Sequence, residues 1–212
     1  MPLLKSDTAT PFCRKCFQPI PENSYRSLAF GAPLICPNCY SELDPKFHRF
    51  RVKGARAMAI YFYNEAVRSA IYQCKGCGDI ELAPVFLDYV LPVLRAFSRG
   101  CTIVPVPSSP SHDAERGFNH VVKMFESLRL PILPAILKPV ESKQSDLSAK
   151  ERQEVAKKLA WNGRISVAGK RILLCDDILT TGATASACID LLRQKGAKSV
   201  RVLVLAKVMP QK

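Results

Sequence analysis

The chain has 212 residues, 48% of them hydrophobic, and a formal net charge of +13. This length accommodates one α/β domain with a small appendage, and this apolar share excludes a chain dominated by disorder. No apolar run is long enough to cross a bilayer, since the best candidate, residues 82–97, is short and carries Asp88 and Arg95; the charge points instead to polyanions, nucleic acid or phosphorylated small molecules.

The basic excess is richest at the C-terminal end, with nine Lys and Arg against three acids in residues 164–212. No block of Lys or Arg forms a tail. The start, Met1-Pro2-Leu3-Leu4-Lys5, has neither the charged region nor the apolar core of a secretory signal, so the expected compartment is the cytoplasm. Nine cysteines, an odd number, do not fit a complete disulfide framework, and six of them fall in Cys-x-x-Cys pairs. In a reducing compartment such pairs indicate metal or redox chemistry.

Residues 1–53 read as a small module whose core is a metal, with little hydrophobic periodicity; residues 54–212 read as the main domain. Cys13-x2-Cys16 and Cys36-x2-Cys39 are separated by nineteen residues. Each knuckle offers two thiolates from one tight turn, and together they complete a tetrahedron around zinc. Four protein ligands leave no position for water, so the expected site is structural. Four buried free thiols and an iron–sulfur cluster are the competing readings.

Along the main domain, Met58 to Tyr63 reads as a strand, Asn64 to Gln73 as a helix and Ile80 to Phe97 as a longer amphipathic helix. Cys101 to Val106 reads as a buried strand, Asn119 to Leu128 as a helix, and Ile132 to Leu137 is compatible with a strand. Lys150 to Leu159 reads as a polar helix, Arg171 to Cys175 as a buried strand, Thr184 to Lys195 as a helix and Ser199 to Lys207 as a strand. Strands alternating with helices predict an α/β fold, a mostly parallel sheet flanked by helices. A third pair, Cys74 and Cys77, follows a helix and lacks the context of a redox dithiol. Cys101, Cys175 and Cys188 read as small core residues.

The most informative segment is the strand Ile172 to Cys175, followed by Asp176 and Asp177 and then by Thr180-Thr181-Gly182-Ala183-Thr184 at the start of a helix. Gly182 allows close backbone approach, and helix N-terminal amides with threonine hydroxyls attract a phosphate. The two acids would repel a phosphate and so serve something else, namely ribose hydroxyls and a divalent cation. One ligand carries all three features: phosphoribosyl diphosphate (PRPP). The plainer alternative, a capped helix after a core strand, accounts for the Thr and Gly but not for two consecutive acids.

This segment resembles the PRPP fingerprint of type I phosphoribosyltransferases. With the four-cysteine module, nearly the whole chain resembles the ComF family (ComFC-type proteins) of bacterial competence. Pro105-Val106-Pro107 is similar to the family's strand end before the diphosphate loop. Arg116-Gly117-Phe118-Asn119 and Lys143-Gln144-Ser145 with Leu147-Ser148, Glu151 and Arg152 are similar to its other signatures, and Lys75, Gly78 and Asp79 match its Lys-x-x-Gly-Asp. His120 stands where that family commonly has Gln.

The resemblance implies that Asp176 and Asp177 hold the ribose and a magnesium ion, and that Thr180, Thr181, Gly182, Ala183 and Thr184 cradle the 5-phosphate. It also implies that Arg116 neutralises the diphosphate from a loop, with Lys75 as a second cation; Asp176, Asp177 and Arg116 are then the candidate catalytic residues. No role is assigned to His48, His112 or His120. In cells the resemblance implies handling of incoming single-stranded DNA during natural transformation, beside a ComFA-type ATP-driven translocase. Active transfer of phosphoribosyl to an unknown acceptor base is the alternative. The net charge fits DNA, although no strand combining basic and aromatic residues stands out as a base-stacking platform.

Overall fold

The structure is a computed structural model, and it describes residues 11–20, 32–138 and 159–209. The order of elements is α1 (Pro37–Leu43), β1 (Pro45–Val52), β2 (Ala55–Phe62), α2 (Glu65–Gly76), a 3-10 helix (Ile80–Phe86), α3 (Leu91–Ser98), β3 (Thr102–Pro105), α4 (Pro110–Arg116), α5 (His120–Phe125) running into a 3-10 turn (Glu126–Leu128), β4 (Ile136–Leu137), β5 (Ala160–Trp161), β6 (Arg171–Leu179), α6 (Ala183–Gln194) and β7 (Ser199–Lys207).

Five strands form one sheet in the order β1-β2-β7-β6-β3. The pairs β2–β7, β7–β6 and β6–β3 are parallel, and only β1 is antiparallel to its neighbour. Strands β6 and β7 are near-continuous apolar runs because both of their faces are covered. On one face, Met58, Ile60, Leu173, Cys175, Leu203 and Leu205 join the core formed with α2, the 3-10 helix and α5. On the other, Ala57, Ala59, Ile172, Leu174, Val202 and Val204 pack against Ala185, Cys188, Ile189 and Leu192 of α6. The α/β expectation is met.

Several elements differ from their sequence expectation. The helix expected over Ile80 to Phe97 is two pieces, the 3-10 helix and α3. Pro84 removes a backbone donor inside the first piece, and Pro92 sits where a helix begins, so the apolar period runs on while the backbone does not. Strand β6 does not stop at Cys175 but continues through both acids to Leu179. The helix expected at Asn119 is shorter; Asn119 caps it by accepting from the Val122 amide at 2.9 Å. The expected helix at Lys150 lies outside the described residues except for Leu159, which precedes β5.

Strand β1, with sequence Pro-Lys-Phe-His-Arg-Phe-Arg-Val, corrects the reading that no basic, aromatic strand exists. A register shift between Pro45 and His48, with Phe47 at φ 49°, puts its alternation out of phase. The division drawn at residue 53 falls in the Lys53-Gly54 turn of the β1–β2 hairpin, so residues before it supply the edge strand. The cysteine-bearing segment also shares a core with the sheet. Cys13, Ile20, Ile35 and Leu43 belong to the same buried cluster as Leu82 and Phe86. Tyr40 stacks on Tyr89 with centroids 4.3 Å apart, and the Leu34 amide donates to Asp88 Oδ2 at 2.9 Å.

Candidate functional site

The four cysteines of the two knuckles converge. The Sγ atoms of Cys13, Cys16, Cys36 and Cys39 all lie within 4.8 Å of one another. A tetrahedral ion with bonds of about 2.3 Å to sulfur needs sulfurs about 3.8 Å apart, and Cys16 Sγ is 3.8 Å from Cys36 Sγ. The backbone is built for this cluster. Cys36 caps α1 and accepts from the Cys39 amide, and the Arg14 amide donates to the Leu34 carbonyl at 2.9 Å, joining the two knuckles. Burial pushes the Cys36 and Cys39 thiols up, and hydrogen bonding among the neighbouring thiols pushes Cys39 up further. Burial acts in the same direction on Cys13, but backbone amides outweigh it and lower this thiol to about 7. Four crowded thiols cannot all ionise without a cation among them, and a metal such as zinc would supply it. The set therefore fits a closed metal site.

The third pair does not behave as a redox dithiol. Cys74 is fully buried in α2, and burial pushes its thiol up to about 11, while Cys77 is exposed at the helix end.

The second site lies against β6, where a cavity of about 250 Å³ is lined by Asp176 and Asp177 together with Lys75, Ser108, Arg116 and His120. Asp177 is 6% exposed. Its Oδ2 accepts from Lys75 Nζ at 2.9 Å and from His120 Nε2 at 3.1 Å, and its Oδ1 accepts from the Ile178 amide at 2.7 Å. Burial would raise this carboxyl, but the His120 hydrogen bond and the Lys75 charge outweigh it and hold Asp177 well below the usual carboxylate range. Asp176 accepts from the Asp177 amide at 2.9 Å, and burial and the Asp177 charge push it well above that range. The two neighbours are thus driven apart, one ionised and one inclined to keep its proton.

Arg116 reaches the cavity from the last residue of α4, not from an open loop. Its Nη2 donates to Asp113 Oδ1 at 2.7 Å. Asp113 also accepts from the Ser108 hydroxyl and from Asn119 Nδ2. Burial is the largest influence on Asp113 and acts upward, but these three donors prevail and lower its carboxyl. Two buried nitrogens on residues lining the cavity, Arg116 Nε and His120 Nδ1, have no hydrogen-bond partner among the described residues. Such atoms are uncommon in folded proteins and mark sites where a ligand or water belongs.

Thr180, Thr181 and Thr184 are exposed beyond the end of β6 and do not line this cavity. Gly182 caps α6 with φ 77°, and the Thr181 hydroxyl accepts from the Ala183 amide at 3.4 Å. The first-turn amides of α6 therefore remain without carbonyl partners within the helix. Lys75, Arg116, Asp176 and Asp177 are brought together, and the Thr180–Thr184 loop follows two residues behind the acids. Residues 143–152 lie outside the described residues. Sequence reasoning named Asn119 within a family signature and His120 as a departure from it but gave neither a role, and it did not find Asp113. The role of His120 has no local signal, because its partner Asp177 is 57 positions away.

A parallel sheet with an acid pair on a central strand, followed by a threonine-rich turn into a helix, defines a phosphoribosyltransferase-type protein. Residues 120–212 match the phosphoribosyl transferase domain family. The chain is 32% identical to competence protein ComFC of Streptococcus pneumoniae over 81% of this chain and 80% of that protein. It is 29% identical to competence protein ComFC of Bacillus subtilis over 82% of this chain and 78% of that one. A hypoxanthine phosphoribosyltransferase structure from Staphylococcus aureus aligns with TM-score 0.40 and 13% identity, covering 61% of this chain and 74% of that one. The chain belongs to the ComFC family. Among the described residues, no helix is long and apolar enough to cross a membrane.

Proposed function

We propose that this protein binds PRPP with magnesium at the β6 cavity and acts in competence as its ComFC relatives are named to do. The observation that carries this reading is the acid pair on β6. An isolated structural role does not account for two adjacent carboxylates beside Lys75, Arg116 and His120 in one cavity, followed directly by a helix N-terminus suited to phosphate. In this reading Asp176 and Asp177 hold the ribose hydroxyls and the metal, the Thr180–Thr184 loop holds the 5-phosphate, and Lys75 and Arg116 face the diphosphate. The metal would supply charge neutralisation of the diphosphate; the chain's own residues position it. Arg116 keeps donors for the ligand beyond the Nη2 that holds Asp113, the unpartnered Nε among them.

In this reading the chain works in the cytoplasm, its knuckle cluster holds a structural zinc, and its cellular role is the handling of single-stranded DNA beside a ComFA-type translocase. The charge of +13 and the basic, aromatic strand β1 support the DNA part.

The PRPP part has a calorimetric signature. Asp176 is inclined to keep a proton, and a cation bound beside it removes that inclination. Above the ordinary carboxylate range, binding of PRPP with magnesium should therefore release a proton beyond those that the ligand's own phosphates lose to magnesium in the absence of protein. Titrations in two buffers of different ionisation heat should differ in apparent enthalpy accordingly. Proton release no greater than the ligand's own, or proton uptake, would contradict the placement of the cation at Asp176.

A further inference from the structure

A second cavity, of about 590 Å³, lies well apart from the acid pair and is lined by Arg49, Arg51, Arg56 and Arg201 together with Phe97. Its arginines are not scattered. Arg51 pairs with Arg56 across β1–β2, and Arg56 pairs with Arg201 across β2–β7. Three consecutive strands therefore place an arginine at the same level of the sheet, about 4.8 Å from strand to strand. Arg49, two residues before Arg51, extends the same face along the edge strand. This row stands where the parallel strands β2 and β7 begin, whereas Asp176 and Asp177 lie in the later half of β6.

Like charges directly opposite one another destabilise a sheet, so such a row calls for compensation. Among the described residues no carboxylate forms an ion pair with any of the four. Arg51 donates to the Gly54 carbonyl at 3.0 Å. Arg201 donates to the Phe97 carbonyl and lies 5.8 Å from the centre of the Phe97 ring. Arg49 and Arg51 are exposed on the edge strand and Arg56 is exposed beside them. Arg51 and Arg201 are thus tied to the backbone, Arg49 and Arg56 line the same groove, and the Phe97 ring stands at its wall.

We infer that this arginine-lined groove is a binding surface for the phosphodiester backbone of single-stranded nucleic acid. A row of guanidinium groups set by strand register suits a chain of regularly repeated anions better than one small anion. Arginine also binds phosphate bidentately, and an aromatic at the wall offers a base a stacking surface. The inference rests on the DNA-handling reading for its ligand, and assigns to that reading a surface separate from the PRPP cavity.

The test uses the full chain and a fluorescent twenty-residue oligothymidylate, with anisotropy read at several salt concentrations. The wild type should bind, and the Arg49→Gln/Arg51→Gln/Arg56→Gln variant should bind about tenfold more weakly or worse at low salt. The slope of log affinity against log salt should become shallower by about 2, since each single-strand phosphate contact contributes about 0.7. The single Arg49→Gln variant, an exposed edge position, should lose about 0.7 of slope by itself. The triple variant should melt no lower than wild type, because like-charge crowding is relieved, and its response to PRPP should be unchanged. Unchanged affinity and slope in both variants would overturn the groove while leaving DNA binding elsewhere on the protein. A wild type that binds no oligothymidylate even at low salt would overturn the groove and the DNA-handling reading together, and leave the PRPP reading standing.

Discussion

Replacing Cys16 by Ser should reduce bound zinc from about one per chain to near zero and lower the melting temperature by roughly 10 °C. The size of the effect follows from where the cluster sits. Cys13, Cys36 and Cys39 are buried in the same core as Leu82, Phe86 and the sheet residues Met58 and Ile60, so the knuckles are not a detachable appendage. A serine oxygen is a poor substitute for a thiolate, and the remaining three sulfurs lose the ion that balances them. Metal binding in such a site is folding free energy. Loss of a few kcal/mol, on the order expected when a structural metal site is broken, corresponds to roughly 2–4 °C per kcal/mol in a protein of this size. Elemental analysis of protein purified without chelator gives the metal, and a thermal melt gives the stability. Wild-type protein without zinc, or a variant that melts like wild type, would contradict the closed metal site.

Asp176→Asn and Asp177→Asn should each abolish magnesium-dependent PRPP binding while moving the stability of the unliganded protein in opposite directions. The signs come from the two environments. Asp176 has its carboxyl raised in the folded state by burial and by the Asp177 charge. It therefore opposes folding once pH exceeds its unfolded value near 4. A neutral, nearly isosteric amide removes that opposition, so Asp176→Asn should melt at or above wild type at neutral pH and lose the advantage as pH falls below about 4. Asp177 has its carboxyl lowered, and its contribution is present above about pH 4 and disappears only as pH falls through its depressed folded value. Asp177→Asn gives up the charge that Lys75 and His120 face at 2.9 and 3.1 Å. It should cost about 1.5–3 kcal/mol at neutral pH, the range for hydrogen bonds to a charged group. Lost affinity in Asp176→Asn with undiminished stability separates ligand service from a role in folding. Wild-type affinity in both variants would remove the acids from the PRPP site.

What could be read from the sequence follows the range over which each signal acts. The two cysteine knuckles and the segment from Asp176 to Thr184 are local patterns, with spacing set by single turns, and they were legible without a fold. The buried strands β6 and β7 were legible as apolar runs, although β6 continues through both acids because its neighbour β7 pairs with it as far as Leu179. Strand β1 was not legible, because the irregularity at Phe47 breaks the period of two and its charges masked the pattern. Residues 80–97 carried a helical period, but Pro84 and Pro92 divided the backbone beneath it. The least legible features are those made by distant partners. Lys75 meets Asp177 across 102 positions, and only the family resemblance pointed to it. The pairing of His120 with Asp177 and the arginine row across three strands had no local signature; register alone assembles the latter.

The central claim, a magnesium-dependent PRPP site on β6, is tested most directly by a thermal shift of the intact protein with PRPP and magnesium, each alone and both together. Ligand binding to the folded state at about 100 times the dissociation constant stabilises by about 2.7 kcal/mol, which corresponds to roughly 5–10 °C in a chain of this length. That rise is expected with both present, and little change with either alone. No rise with both present at millimolar PRPP, or an equal rise without magnesium, would contradict it.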